Sequence, residues 1–185
     1  MDGAAQLRPF DRQTALPLQL QASAQLSRYA ANQVTLQLRY RLSATADLLL
    51  PAPLTAPIRG DGLWQHTCLE AFVGASAQEP YWEFNLAPNG AWNVYRLDGY
   101  RRGLQQESFY DALPFAVDRQ PQQGPGVLEV VLACPLPAPL ARAAELQVGL
   151  SAVLEDQRGG LSYWALAHPG PEADFHDRRG WLLRL

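Results

Sequence analysis

In the stretch Val34-Thr35-Leu36-Gln37-Leu38-Arg39-Tyr40-Arg41-Leu42 the apolar side chains occupy every even position. A period of two places them all on one face of an extended strand, whereas a helix would scatter them around its axis. The same alternation recurs in Leu16 to Ala22, Thr67 to Val73, Tyr81 to Ala87, Ala91 to Leu97 and Val127 to Ala133. It returns in Leu146 to Leu154, Leu161 to His168 and Trp181 to Leu185. Most of these runs are bounded by Gly, Pro or Asp, the residues that end strands. About eight to ten short strands with turn signals between them predict an all-β fold. We expect an antiparallel β-sandwich of jelly-roll or immunoglobulin-like type, its two sheets burying their apolar faces about 10 Å apart.

The connections carry their own chemistry. In Leu86-Ala87-Pro88-Asn89-Gly90-Ala91, Pro presets φ and Asn-Gly tolerates positive φ, so a tight hairpin should join two aromatic-rich strands. Pro121 to Gly126 marks a second turn, Pro51 to Pro57 a stiff surface loop, and Gly159-Gly160 a further hairpin turn. Helix is scarce, limited to one or two short turns within Leu104 to Leu113 and Leu140 to Leu146. A chain of 185 residues without a long linker suits a single domain, residues 1–185.

All fifteen basic residues are Arg. The absence of Lys excludes Schiff-base chemistry, pyridoxal phosphate anchoring and a P-loop lysine. A net charge of −3 argues against nucleic acid as a partner. Cys68 and Cys134 lie in apolar alternating runs and read as buried free thiols. The N-terminal residues lack a basic region followed by an apolar run, so no leader is expected, and no apolar stretch is long enough for a membrane helix. We therefore expect a soluble, cytoplasmic protein with no membrane partner.

Two segments stand out as candidate sites. In Thr67 to Val73, Glu70 shares parity with Cys68 and Phe72, and a carboxylate on an apolar face is costly unless it is paired or opens onto a cavity. In Tyr81 to Leu86, one face carries Tyr81, Glu83 and Asn85; across the hairpin these should meet Asn93 and Tyr95.

Three motifs in order, Leu63-Trp64-x-x-Thr67-Cys68-x-Glu70-x-Phe72, Tyr81 through Arg96, and Ala165-x-x-His168-Pro169 through Asp174-Phe175-His176, resemble the bacterial DOMON-like domain proteins. These are similar to family-nine carbohydrate-binding modules and to haem-binding DOMON sandwiches. The resemblance spans Leu16 to Leu185 and implies a sandwich that binds a ligand without catalysis, a small carbohydrate or similar polyhydroxylated molecule. In family-nine modules a Trp six residues before a Glu forms the sugar site, and Trp64 and Glu70 repeat that interval. An indole face would stack on a pyranose while the carboxylate accepts hydroxyl hydrogen bonds. Glu83, Asn85, Asn93 and Arg96 would add polar contacts, and Trp164 would be the opposing wall.

Other readings use the same residues. Trp64 could instead cap the sandwich, with Glu70 paired to a buried Arg such as Arg96. The haem branch of the resemblance implies iron held by Met and His or by two His. Met1 is too terminal for an axial ligand, leaving His66, His168 and His176 for a bis-His site. His168 otherwise fixes a loop, while His176 with Asp174 and Asp177 could bind a divalent metal. Glu70 and Glu83 could form a hydrolase's carboxylate pair. Alternatively the aromatic patch could dock a protein partner, making the domain a scaffold. The pairs Arg101-Arg102 and Arg178-Arg179 read as solvated loop charges.

Overall fold

The computed structural model describes residues 3–13, 15–30, 33–43, 47–120 and 126–185. Met1 and the turn residues 121–125 therefore lie outside the described residues. The chain is a β-sandwich. One sheet has the order β1-β3-β4-β11-β10, built from Ala5–Gln6 (β1), Gln19–Ala30 (β3), Gln33–Ser43 (β4), Phe115–Gln120 (β10) and Val127–Pro135 (β11). The other runs β2-β13-β12-β6-β7-β8-β5, from Arg8–Pro9 (β2), Ile58–Arg59 (β5), Cys68–Ala75 (β6), Tyr81–Leu86 (β7), Ala91–Leu97 (β8), Leu146–Glu155 (β12) and Leu161–Ala165 (β13). Two short strands complete it: Gln105–Gln106 (β9) beside β8 and Leu183–Arg184 (β14) beside β12. All pairings are antiparallel except β5 with β8.

The period-two reading of β4 holds: Val34, Leu36, Leu38, Tyr40 and Leu42 are buried while its polar residues face outward. They meet Leu69, Ala71, Val73, Phe84, Val94 and Leu150 from the larger sheet in one core. The Tyr40 hydroxyl crosses that core and donates to the Glu70 carbonyl at 2.6 Å, pinning β4 to β6. The expected hairpin joins β7 to β8. Gly90 takes φ 101°, and Asn89 Oδ1 accepts from the Ala91 amide at 2.9 Å. The resulting register sets Asn85 opposite Asn93 and Glu83 opposite Tyr95, as expected.

Four expectations are corrected. β3 continues to Ala30, its outer half masked in sequence by the small residues Ser23 and Ala24. β10 was not foreseen, because it lies at a sheet edge where every second side chain is exposed. Helix α1 covers Ala138–Ala141, just after Pro137, rather than Leu140 to Leu146. Leu104 to Leu113 contains no helix: the Glu107 amide extends the β8 ladder by donating to the Val94 carbonyl, and the Glu107 carboxylate accepts from the Trp82 indole at 2.6 Å.

The larger sheet is unusual in its second face. Every residue of β6 and β7 is buried, so the side turned away from the core is covered as well. Its cover is the segment before β14. Trp181 stacks on Phe72 with centroids 5.8 Å apart, meets Tyr81 edge-on at 5.2 Å, and donates its indole N–H to the Phe175 carbonyl. A close approach makes this possible: a Cβ on Gly149 would lie 2.4 Å from Trp181 Cδ1. Gly149→Ala should therefore lift Trp181 and cost about 1–3 kcal/mol as overpacking. A drop in the urea midpoint at unchanged slope would show it; a midpoint equal to that of the unmodified protein would contradict the packing.

Candidate functional site

Read across the covered face, the registers align side chains in rows. One row runs Ala165, Ser151, Glu70, Asn85 and Asn93; the next runs Gly149, Phe72, Glu83 and Tyr95. Between the sheet and its cover lies a cavity of about 350 Å³, with Glu70, Phe72 and Glu83 at its base. That volume falls at the small end of ligand sites, roughly 300–1,000 Å³.

Trp64 stands at the mouth. It belongs to a single 3-10 turn, Leu63–Gln65, entered through Gly62 at φ 69°, and its ring meets Tyr95 edge-on at 5.8 Å. It is 38% exposed. Opposite it, Tyr163 rises from β13, 39% exposed, with its ring tilted against Phe175. Arg101, Phe175 and His176 complete the polar and aromatic surround.

The carboxyls below are strongly desolvated. Glu70 is only 2% exposed, and burial pushes its carboxyl well above the usual carboxylate range, with the neighbouring Glu83 pushing the same way. Burial also raises Glu83, against opposing pulls from the Asn85 side chain, which donates to Glu83 Oε1 at 2.8 Å, and from the charge of Arg101. Glu70 Oε1 and Ser151 Oγ, directly opposite each other across the β6–β12 ladder, are buried without a hydrogen-bond partner. His176 shares a 2.6 Å hydrogen bond through Nδ1 with the Tyr81 hydroxyl, and its Nε2 lies 3.9 Å from Glu83 Oε2. Burial and then Arg101 push His176 down to about 4, so it is neutral near pH 7. Arg101 adopts φ 51° and pairs with Asp174 at 2.9 Å.

The structure brings together Trp64, Glu70 and Glu83 of the expected site, with Asn85 supporting Glu83 from beneath. The alternative in which Glu70 pairs with Arg96 is not realised. Arg96 is on the other face, beside Asp98 at 3.2 Å and over Trp82. Asn93 is fully buried beside the cavity, held by the Gly60 carbonyl, Asp61 and Tyr95. Trp164 faces the core, its indole donating to Ser162 Oγ, and the aromatic turned toward the cavity is the adjacent Tyr163. The parity of that strand was ambiguous because both faces carry an aromatic residue. Of the two arginine pairs, Arg101, Arg102 and Arg179 are exposed as expected, although Arg101 also lines the cavity; Arg178 is half-buried, donates to the carbonyls of Ala75, Glu79 and Pro80 and lies over Trp181. Arg101 has no sequence signal, since only the loop's fold turns it inward.

The three histidines do not fit haem. His66 pairs with Glu155, His168 with the Arg8 carbonyl, and only His176 lines the cavity, with Nδ1 already held. The cavity thus presents one imidazole, not the two that a bis-His site needs. Among the described residues no three His, Cys, Asp or Glu side chains converge as metal ligands. Cys68 and Cys134 are free and buried, and among the described residues no helix is long and apolar enough to cross a membrane.

No family model matches the chain, and no curated protein sequence matches it. Solved structures do. A candidate carbohydrate-binding protein from Bacteroides uniformis superposes with a TM-score of 0.63 at 11% identity, covering 96% of this chain and 84% of that one. Two structures of a family-nine carbohydrate-binding module from Caldicellulosiruptor kristjanssonii are more distant. The glucose complex gives a TM-score of 0.41 at 11% identity, covering 82% and 67% of the two chains. The cellotriose complex gives 0.44 at 11% identity, covering 88% and 70%. The likeness is one of fold.

Glu70 sets a testable pH dependence. A carboxyl whose folded pKa lies above its unfolded value of 4.5 binds its proton more tightly when folded. Its contribution to stability is complete below that value and is lost as pH rises through the folded pKa. Glu70→Gln should thus melt higher than the unmodified protein at pH about 8 and close to it near pH 4. The difference between the two proteins reports Glu70 together with the neighbouring Glu83, which pushes it the same way. Parallel melting profiles at every pH would refute a Glu70 carboxyl raised by burial.

Proposed function

We propose that the chain is a non-catalytic binding module for a small carbohydrate or similar polyhydroxylated ligand, taken up in the cavity above Glu70 and Glu83. The observation that carries this reading is the pairing of two half-exposed aromatic faces, Trp64 and Tyr163, with the Glu70 and Glu83 carboxyls in one cavity. A pyranose offers both partners in one ring: C–H surfaces for the aromatic plates and hydroxyl groups for the carboxyls. Its hydroxyl groups would hydrogen-bond the Glu70 and Glu83 carboxyls, and bonds to such desolvated groups contribute about 1–3 kcal/mol each. The fold shared with the Bacteroides uniformis candidate carbohydrate-binding protein agrees with this reading, as does the resemblance to DOMON-like proteins.

Hydrolysis is a weaker reading of the same geometry. Glu70 and Glu83 do line one cavity. A glycosidase separates its two carboxyls into one held protonated and one held ionised. Here burial raises both.

Calorimetry against a panel of mono- and disaccharides tests the proposal. At least one should bind, weakly, because exposed stacking must offset desolvation and immobilisation of the ligand. Trp64→Ala and Tyr163→Ala should each weaken it by roughly fivefold or more, the scale of a lost aromatic contact. Absence of heat across the whole panel would remove the proposal.

A further inference from the structure

Carboxyl groups outnumber cations around the cavity. Glu70 and Glu83 lie on neighbouring strands with one position between their cross-strand partners, so the two carboxyls share one hollow. Among the described residues the one cation lining that hollow is Arg101, and it is paired with Asp174 at 2.9 Å. His176, the other basic group there, is neutral near pH 7. Glu70, 2% exposed, lines the hollow and has an oxygen, Oε1, without a hydrogen-bond partner. The hollow thus has carboxyl acceptors in excess, no uncommitted cation, and the aromatic faces of Trp64, Tyr163 and Phe175 around it.

We infer that the preferred ligand carries a protonated amine, as in an amino sugar, with its ammonium group seated between Glu70 and Glu83. This rests on the carbohydrate reading above and narrows it. An ammonium supplies three N–H donors where a hydroxyl supplies one, and it interacts favourably with aromatic faces. Its charge favours the ionised form of the carboxyls beside it, so binding expels a proton to solvent. The groups facing the pair are Cys68 from β6, Asn85 and Tyr81 from β7, Tyr95 from β8, Ser151 from β12, and Arg101, Asp174 and His176 from the covering loops. None of them places an uncommitted positive charge there.

The test compares glucosamine, glucose and N-acetylglucosamine by calorimetry at about pH 6, where an aliphatic amine is protonated. Glucosamine should bind at least about tenfold more tightly than either neutral sugar, as expected for a charge-assisted hydrogen bond. Its heat should change between buffers of different ionisation enthalpy, revealing the released proton. In Glu83→Gln, checked for folding by its melting curve, the ratio of glucosamine to glucose affinity should fall below about threefold. If glucose or N-acetylglucosamine binds as well as glucosamine, the amine inference is overturned while the carbohydrate reading stands. If none of these sugars, nor any other of the panel, binds, both fail.

Discussion

The structure depends on burying β6 and β7 on both faces. In an ordinary antiparallel sandwich each sheet has one dry and one wet face, and β4 follows that pattern. In β6 and β7 no residue is exposed, although the outward positions include Glu70, Glu83 and Asn85. The aromatic segment from Phe175 to Trp181 closes that face, and the near contact of Trp181 with Gly149 shows how closely it is laid down. Carboxyls that would be unremarkable on a wet face become costly groups beneath a lid.

From that constraint follow the properties of the cavity. Where the cover meets Phe72, Tyr81 and Tyr95 it makes a second small core, and where it stops short of Trp64 and Tyr163 it leaves the hollow. The base is rigid because β6 is tied across the sandwich by Tyr40 and flanked by full-length antiparallel ladders. A preformed site of this kind loses little ordering entropy when a ligand enters. The unpartnered oxygens of Glu70 and Ser151 are a cost of burying that face.

The sandwich was legible from period two alone, and so was the hairpin that sets Glu83 opposite Tyr95. Glu70 was legible as a carboxylate misplaced on an apolar face and Glu83 as part of the polar face of its strand, whereas Trp64 was singled out only by the resemblance to family-nine modules. Tyr163 was not, because Ser162 and Trp164 on one face and Leu161 and Tyr163 on the other give equal hydrophobic signals. The packing of Trp164 into the main core decides the parity, and it is a tertiary fact. Arg101 was invisible for a different reason: a loop residue at positive φ, held by Asp174 more than seventy positions away, leaves no trace in local sequence. The helix expected over Leu104 to Leu113 failed because β8 offered unpaired backbone groups that the segment could satisfy by extending the ladder.

Of the five tryptophans, Trp82, Trp92, Trp164 and Trp181 are buried, so Trp64 alone reports from the mouth of the cavity. Acrylamide quenching of tryptophan emission is therefore the most direct test of an open hollow guarded by that indole. The account predicts an accessible, red-shifted component that disappears in Trp64→Phe and is shielded by a bound saccharide. Quenching that is the same in Trp64→Phe and indifferent to every saccharide would contradict it.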